Sequence, residues 1–405
     1  MRRLPAIRVG LLVTAVVLFS EPALAHVGGL SGGSGGSVPP WLTIGTGGVI
    51  VGASFLFTSL LTDHEAIRIV NGWHLHARVP ESIRSGLIRV LRAAGVLLLA
   101  LVVASGFLGP NRSSAALFRP TDSFAIMVVW VGWWAGYVMS VYLVGNTWPT
   151  LTPWRGLASL VPRLGAREYP ERFGAWPSVL GLLALVWIEV VSPVAQAPRL
   201  LASVILGYTA VTLAGAALYG APVWFDRVDP IARALRAYGW IAPFQRTADG
   251  IALTLPTTAL TDHQLREEAG STAFVIALLW VTTYDGLVAT PAWEAAITPL
   301  VEAGVPALPI YFVAIVAGFL LFYHVYTLAS RKARETSGTY VAAGYISRYF
   351  APALLPIAAG YHVAHFLGYL LNLLPALVAV LPYPLSVPPE SYVLAVPGWI
   401  GLVGI

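Results

Sequence analysis

The chain has 405 residues and a formal net charge of +5, yet only 11% of it is charged and 57% is hydrophobic. A soluble domain carries roughly 25% charged residues, so this balance, with a mean hydropathy of +0.74, excludes a soluble globular protein and specifies an integral membrane one. Cysteine is absent, which excludes disulfides, thiolate metal sites and Cys nucleophiles and leaves His, carboxylate and other oxygen donors for any metal.

Residues 1–25 read as a secretory signal peptide. Arg2, Arg3 and Arg8 precede an apolar run, and Ala23-Leu24-Ala25 offers a small-x-small cleavage site. Cleavage there makes His26 the mature N-terminus. Residues 26–43 are a Gly/Ser-rich extracytoplasmic linker. Residues 44–382 form the transmembrane domain, an all-α polytopic bundle, because the apolar runs are long and unbroken. About eight spans are predicted, near 44–61, 86–108, 124–144, 177–191, 200–219, 272–289, 308–330 and 350–373. Residues 383–405 hold an outer loop and the first half of a ninth helix, as in a truncated span.

The basic residues are almost all Arg, and they sit in loops beside the apolar runs, so they read as topology signals rather than as a nucleic-acid footprint. With the mature N-terminus extracytoplasmic, the inner segments hold 18 of the 24 Lys and Arg, the outer ones 3 and the signal the remaining 3. That asymmetry predicts a multi-pass protein of the cell membrane with its partners in lipid. Two inner loops carry their own structure. Thr152 before Pro153 is a helix start, predicting a short interfacial helix with Trp154 and Arg155 at headgroup level. A second helix is expected around Asp229 to Tyr238, and Asp249-Gly250 between short alternating runs predicts a hairpin.

Ionisable residues within spans are costly and mark function by default. Glu189 and Asp285 fall near the outer ends of the fourth and sixth spans, and His362 and His365 in the middle to outer half of the eighth. His362, His365, Tyr369 and Asn372 are spaced three, four and three, which places them on one helix face. Two imidazoles three residues apart reach one ion. The competing readings are a polar packing seam for the histidines, interfacial hydration for Glu189, and for Asp285 hydrogen bonds to Thr282, Thr283 or Tyr284. His324, His74 and His76 read as structural or solvated. His26 can chelate copper through its amine and ring together, and its linker is long enough to fold back on the outer mouth.

The run YPERFGAWPSVLGLLALVWIEVV, the TPWR loop, TTYDG and the HVAHF helix resemble the multi-pass membrane proteins of bacteria and archaea known as the fenitrothion hydrolase family. This chain has Thr152 where the family has Asn, and it stops where the family continues through a further helix. The resemblance implies hydrolysis of an organophosphate triester, a second membrane subunit as partner, and Asp285, His365 and His26 as a shared polar set, with Glu189 in the W-x-E context.

Three functions follow as expectations. In the first, a divalent metal ion (Zn or Cu) held by His362, His365, Asp285 and His26 hydrolyses a lipophilic, uncharged small-molecule ester at the outer face, with Asp285 and Glu189 as the catalytic carboxylates. In the second, the same groups bind and pass on copper or protons without hydrolysis. In the third, His324 and one of the paired histidines ligate haem.

Overall fold

The computed structural model describes residues 64–111, 118–164, 167–262, 265 and 267–389. The predicted signal sequence, His26, the predicted linker, the first predicted span and the expected partial last one lie outside the described residues. The described chain is mostly helical. Its elements are α1 (His64–Gly72), β1 (His74–Arg78), α2 (Glu81–Leu108), α3 (Phe124–Leu143), α4 (Trp148–Leu151), α5 (Pro153–Ala158), α6 (Trp176–Val191), α7 (Pro198–Tyr219), α8 (Pro230–Gly239), β2 (Phe244–Arg246), β3 (Gly250–Thr254), α9 (Ser271–Val288), α10 (Pro291–Glu302), α11 (Ala307–Ser337), α12 (Ala343–Phe350) and α13 (Leu355–Val380).

Among the described residues six helical stretches are long and apolar enough to cross a membrane: α2, α3, α7, α9, α11 and α12 with α13. They coincide with six of the eight predicted spans. The predicted span over 177–191 is α6, a shorter apolar helix of 16 residues. Proline explains many of the helix starts. Pro177, Pro198, Pro230 and Pro291 sit in first turns, where a missing N–H costs nothing. Pro352 lies in a four-residue 3-10 turn that breaks α12 from α13. Pro375 is carried inside α13 without ending it.

The spans differ sharply in enclosure. In α9, 67% of the apolar window is buried within the protein, against 6% in α2. α9 is therefore the central helix, packed on α6, α11 and α13, while α2 turns most of its surface outward. Two bonds clip α9 to α11. The Trp280 indole N–H donates to the Ile315 carbonyl (2.8 Å), and the Tyr284 hydroxyl to the Tyr311 carbonyl (3.0 Å). Gly318 makes the first possible, since a Cβ there would stand 2.0 Å from the Trp280 ring.

The segment after α7 does not stay at the surface. Asp229 accepts a 2.7 Å hydrogen bond from the Ala232 N–H and caps α8. Ala232, Leu235, Ala237 and Tyr238 of α8 are buried, and the helix packs against α3, α6, α4 and α13. The expected hairpin forms between β2 and β3, antiparallel with Gln245 opposite Ala252. A third strand joins it that the pattern did not announce: β1 pairs antiparallel with β3, giving the order β1-β3-β2. His76 contributes to that joint, its Nε2 lying 2.9 Å from the Thr247 hydroxyl and 3.1 Å from Asp249.

One expectation is corrected. α5 begins at Pro153 as predicted, but Trp154 is buried rather than at headgroup level. Its indole N–H donates to the Thr209 hydroxyl of α7 at 2.9 Å, and the Arg155 guanidinium lies over the Phe225 ring. A buried tryptophan needs a partner for its N–H, and Thr209 supplies one inside the bundle.

Candidate functional site

Asp285 sits one turn before the end of α9. The alternative partners for its carboxylate are taken elsewhere: the Thr282 and Thr283 hydroxyls both donate to the Leu279 carbonyl, at 2.8 and 3.1 Å, and Tyr284 donates to α11. Asp285 is 8% exposed. One carboxylate oxygen, Oδ2, lies 3.4 Å from His365 Nε2 of α13, and the other, Oδ1, has no hydrogen-bond partner among the described residues. A buried carboxylate oxygen left without a partner is costly.

Glu189, near the end of α6, is half-buried and close enough for its charge to act on Asp285. Its charge also acts on Tyr369 of α13, two turns beyond His362; the Tyr369 hydroxyl is buried without a partner among the described residues. Among the described residues no Lys or Arg forms an ion pair with either carboxylate. Asp285 and His365 thus meet where α9 packs on α13, with Glu189 on α6, which also packs against α9. The chain direction puts them at the end of the bundle opposite the Arg-rich loops.

His362 faces the other way. Its Nδ1 shares a 2.9 Å hydrogen bond with the Tyr142 hydroxyl at the end of α3. Trp134 and Tyr142 stand edge-on to its ring at 5.4 and 5.8 Å, and Tyr238 of α8 lies at 6.4 Å. The Trp134 backbone lies near the ring, but Nε2 makes no well-formed hydrogen bond. Phe366 separates the two histidines, 4.7 Å from each ring. Trp134 belongs to an 11-residue stretch of α3, Met127–Tyr137, wound with i to i+5 bonds. Such wider turns recur at functional sites. Nothing in the local sequence announced this one.

The structure therefore brings Asp285 and His365 into contact, leaves Glu189 on a neighbouring helix, and turns His362 towards Tyr142. Among the described residues no three His, Asp or Glu side chains are gathered closely enough to hold one metal ion as they stand. His26 lies outside the described residues. His324 is on the exposed side of α11, and Asn372 is exposed on α13. His74 and His76 belong to β1.

Four residues of this region went unread in the sequence. Tyr142, Trp134 and Tyr238 come from distant segments and carried no signal. Tyr361 did carry one: it lies four residues before His365, one turn away on the same helix face. Its ring stacks on His365 at 5.8 Å and 12°. Comparison with protein-family models, with characterised proteins and with solved structures finds no match to this chain.

Proposed function

We propose that Glu189, Asp285 and His365 form an intramembrane binding site for one divalent cation, zinc or copper, reached from the extracytoplasmic side. The observation that carries this is the Asp285 carboxylate: buried, touching an imidazole through one oxygen, and, among the described residues, unpartnered at the other, near a second carboxylate and with no Lys or Arg paired to either. Two acids in apolar surroundings need a cation or protons to offset their desolvation. His365 and Asp285 are already in contact. Glu189, on the neighbouring helix, is the third donor in this reading. His362 is excluded from the set by its bond to Tyr142, which departs from the His362, His365 and Asp285 trio expected from spacing alone.

The reaction class this site suits is hydrolysis of a lipophilic, uncharged ester that partitions into the bilayer. A divalent ion there would lower the pKa of bound water towards neutrality. His365 and Asp285 would orient the centre, and Glu189, half-buried and with no Lys or Arg partner among the described residues, would take up the proton. The test is metal content and affinity of the purified protein, measured by mass spectrometry and titration with zinc or copper. Wild type binds one ion, Asp285→Asn and His365→Ala lose it, and His362→Ala keeps it. Equal binding in all four proteins, or none in wild type, sinks the reading. Turnover of a neutral chromogenic phosphotriester by the same set separates hydrolysis from binding alone.

The orientation is part of the proposal. Because the chain has no cysteine, one introduced at Ser34 should react with an impermeant thiol reagent in intact cells, and one at Ser337 should not. The reverse pattern would place the site on the cytoplasmic side.

A further inference from the structure

We propose that Tyr361 is a positioning residue that fixes the His365 ring against Asp285, and that Gly286 is the slot that lets it do so. The inference rests on the assignment of His365 and Asp285 to the cation site.

The His365 ring is held between two aromatic neighbours. Tyr361 lies parallel to it at 5.8 Å, and Phe366 stands edge-on at 4.7 Å. Both contacts are of the kind that aromatic rings favour. A histidine so placed has few rotamers left, and the one it keeps aims Nε2 at Asp285. The position of Tyr361 is fixed in turn by α9. Its phenol crosses that helix at Gly286, the residue after Asp285. A Cβ at position 286 would stand 2.0 Å from the Tyr361 hydroxyl oxygen and 3.0 Å from the ring carbon bearing it. No side chain fits there while Tyr361 keeps its place. The hydroxyl would have to move by more than about 1 Å, beyond the roughly 0.5 Å within which a ligand set must be held. The Asp285-Gly286 pair is thus one device: the first residue supplies the carboxylate, and the second supplies room for the ring that aligns its imidazole partner. The helix does not need this glycine for its backbone, since position 286 is inside α9 and its φ is ordinary.

The severe clash is with the hydroxyl, while the ring carbon at 3.0 Å needs to give by only a few tenths of an ångström, which gives a direct test. The protein is labelled with 13C-histidine, and the His365 ring resonances, assigned by their loss in His365→Asn, are read without added metal. Zinc affinity is then measured on the same samples. Gly286→Ala should shift the His365 signals and weaken zinc binding by roughly 10-fold or more, the scale of losing a partner that orients a ligand. Tyr361→Phe should leave both near wild type, because the stacked ring remains. Gly286→Ala combined with Tyr361→Phe should recover most of the loss, since the hydroxyl that Cβ strikes is gone. Tyr361→Leu adds no volume and removes the stack, so it should reproduce the Gly286→Ala effect, and it decides the matter if Gly286→Ala does not fold. Unchanged His365 signals in Tyr361→Leu, or a double variant no better than Gly286→Ala, would overturn the proposal. The metal-free spectra report the ring position even if the site binds no zinc, so the two readings fail separately.

Discussion

His362 and His365 lie one turn apart on α13 and have little else in common. His362 is 2% exposed, bonded to Tyr142 and ringed by Trp134, Phe366 and Tyr238. His365 meets a carboxylate whose second oxygen has no partner among the described residues and which lies near another acid. One histidine completes a packing arrangement. The other belongs to an arrangement left electrostatically incomplete. Spacing on a helix places side chains on a face, but a face a hundred degrees wide can border two different neighbours. The element across the helix boundary decides the chemistry.

The largest expected effect tests that asymmetry directly. His365→Ala should reduce zinc affinity by more than the roughly 10- to 100-fold cost of losing an outer-shell partner, while His362→Ala should leave it within a few-fold. Equal losses would make the two histidines one ligand set after all. Next comes stability. His362→Leu should destabilise the protein by about 1–3 kcal/mol, the cost of stranding a buried hydroxyl on Tyr142. Combining it with Tyr142→Phe should cost less than the sum of the single changes. Strict additivity in thermal or denaturant unfolding would show that the 2.9 Å bond contributes nothing.

A smaller effect concerns α8, which brings Tyr238 to the His362 side. Burial, the dominant influence, raises the pKa of its cap Asp229 above the ordinary 3.8, against the opposing bond from Ala232. The unfolded chain then releases this proton first. Stability contributed by Asp229 should fall as pH rises from about 3.8 and level off once the folded group also ionises. Asp229→Asn keeps a capping side chain and should flatten that part of the pH–stability curve; an unaltered curve would show that Asp229 does not set it. The smallest effect is Tyr238→Phe. It preserves the edge-on contact with Tyr142 at 5.4 Å and should change stability by no more than about 0.5 kcal/mol. A larger loss would mean that the Tyr238 hydroxyl does bonding work beside His362.

Much of the fold was legible because hydrocarbon thickness leaves long apolar runs few options. Six predicted spans correspond to apolar helices of spanning length, and the starts at Pro153 and Pro230 were readable from capping chemistry. The hairpin at Asp249-Gly250 followed from turn preferences. β1 was not legible, since a five-residue strand paired with a segment far along the chain has no local signature. At the site, Asp285 and His365 could be named from the cost of charge in a span. That they touch, and that His362 does not join them, depended on Tyr142 and on the rotation of α3. Gly286 could be seen beside Asp285, but its purpose is set by Tyr361 on another helix.

The small sheet also dictates an order of events during synthesis. β1 is made early, but the turn that leads into its partner β3 lies 171 residues away, counted from His76 to Thr247. At roughly 5–20 residues per second, that interval lasts on the order of 10–30 s. For that time the β1 backbone groups have no strand to bond, and hydrocarbon cannot satisfy them. The segment must therefore wait in water while α2, α3, α6 and α7 are placed. Its capture by β3 then ties the first part of the chain to the middle only after the intervening helices have been made, so the sheet closes a circuit that those helices have already laid out.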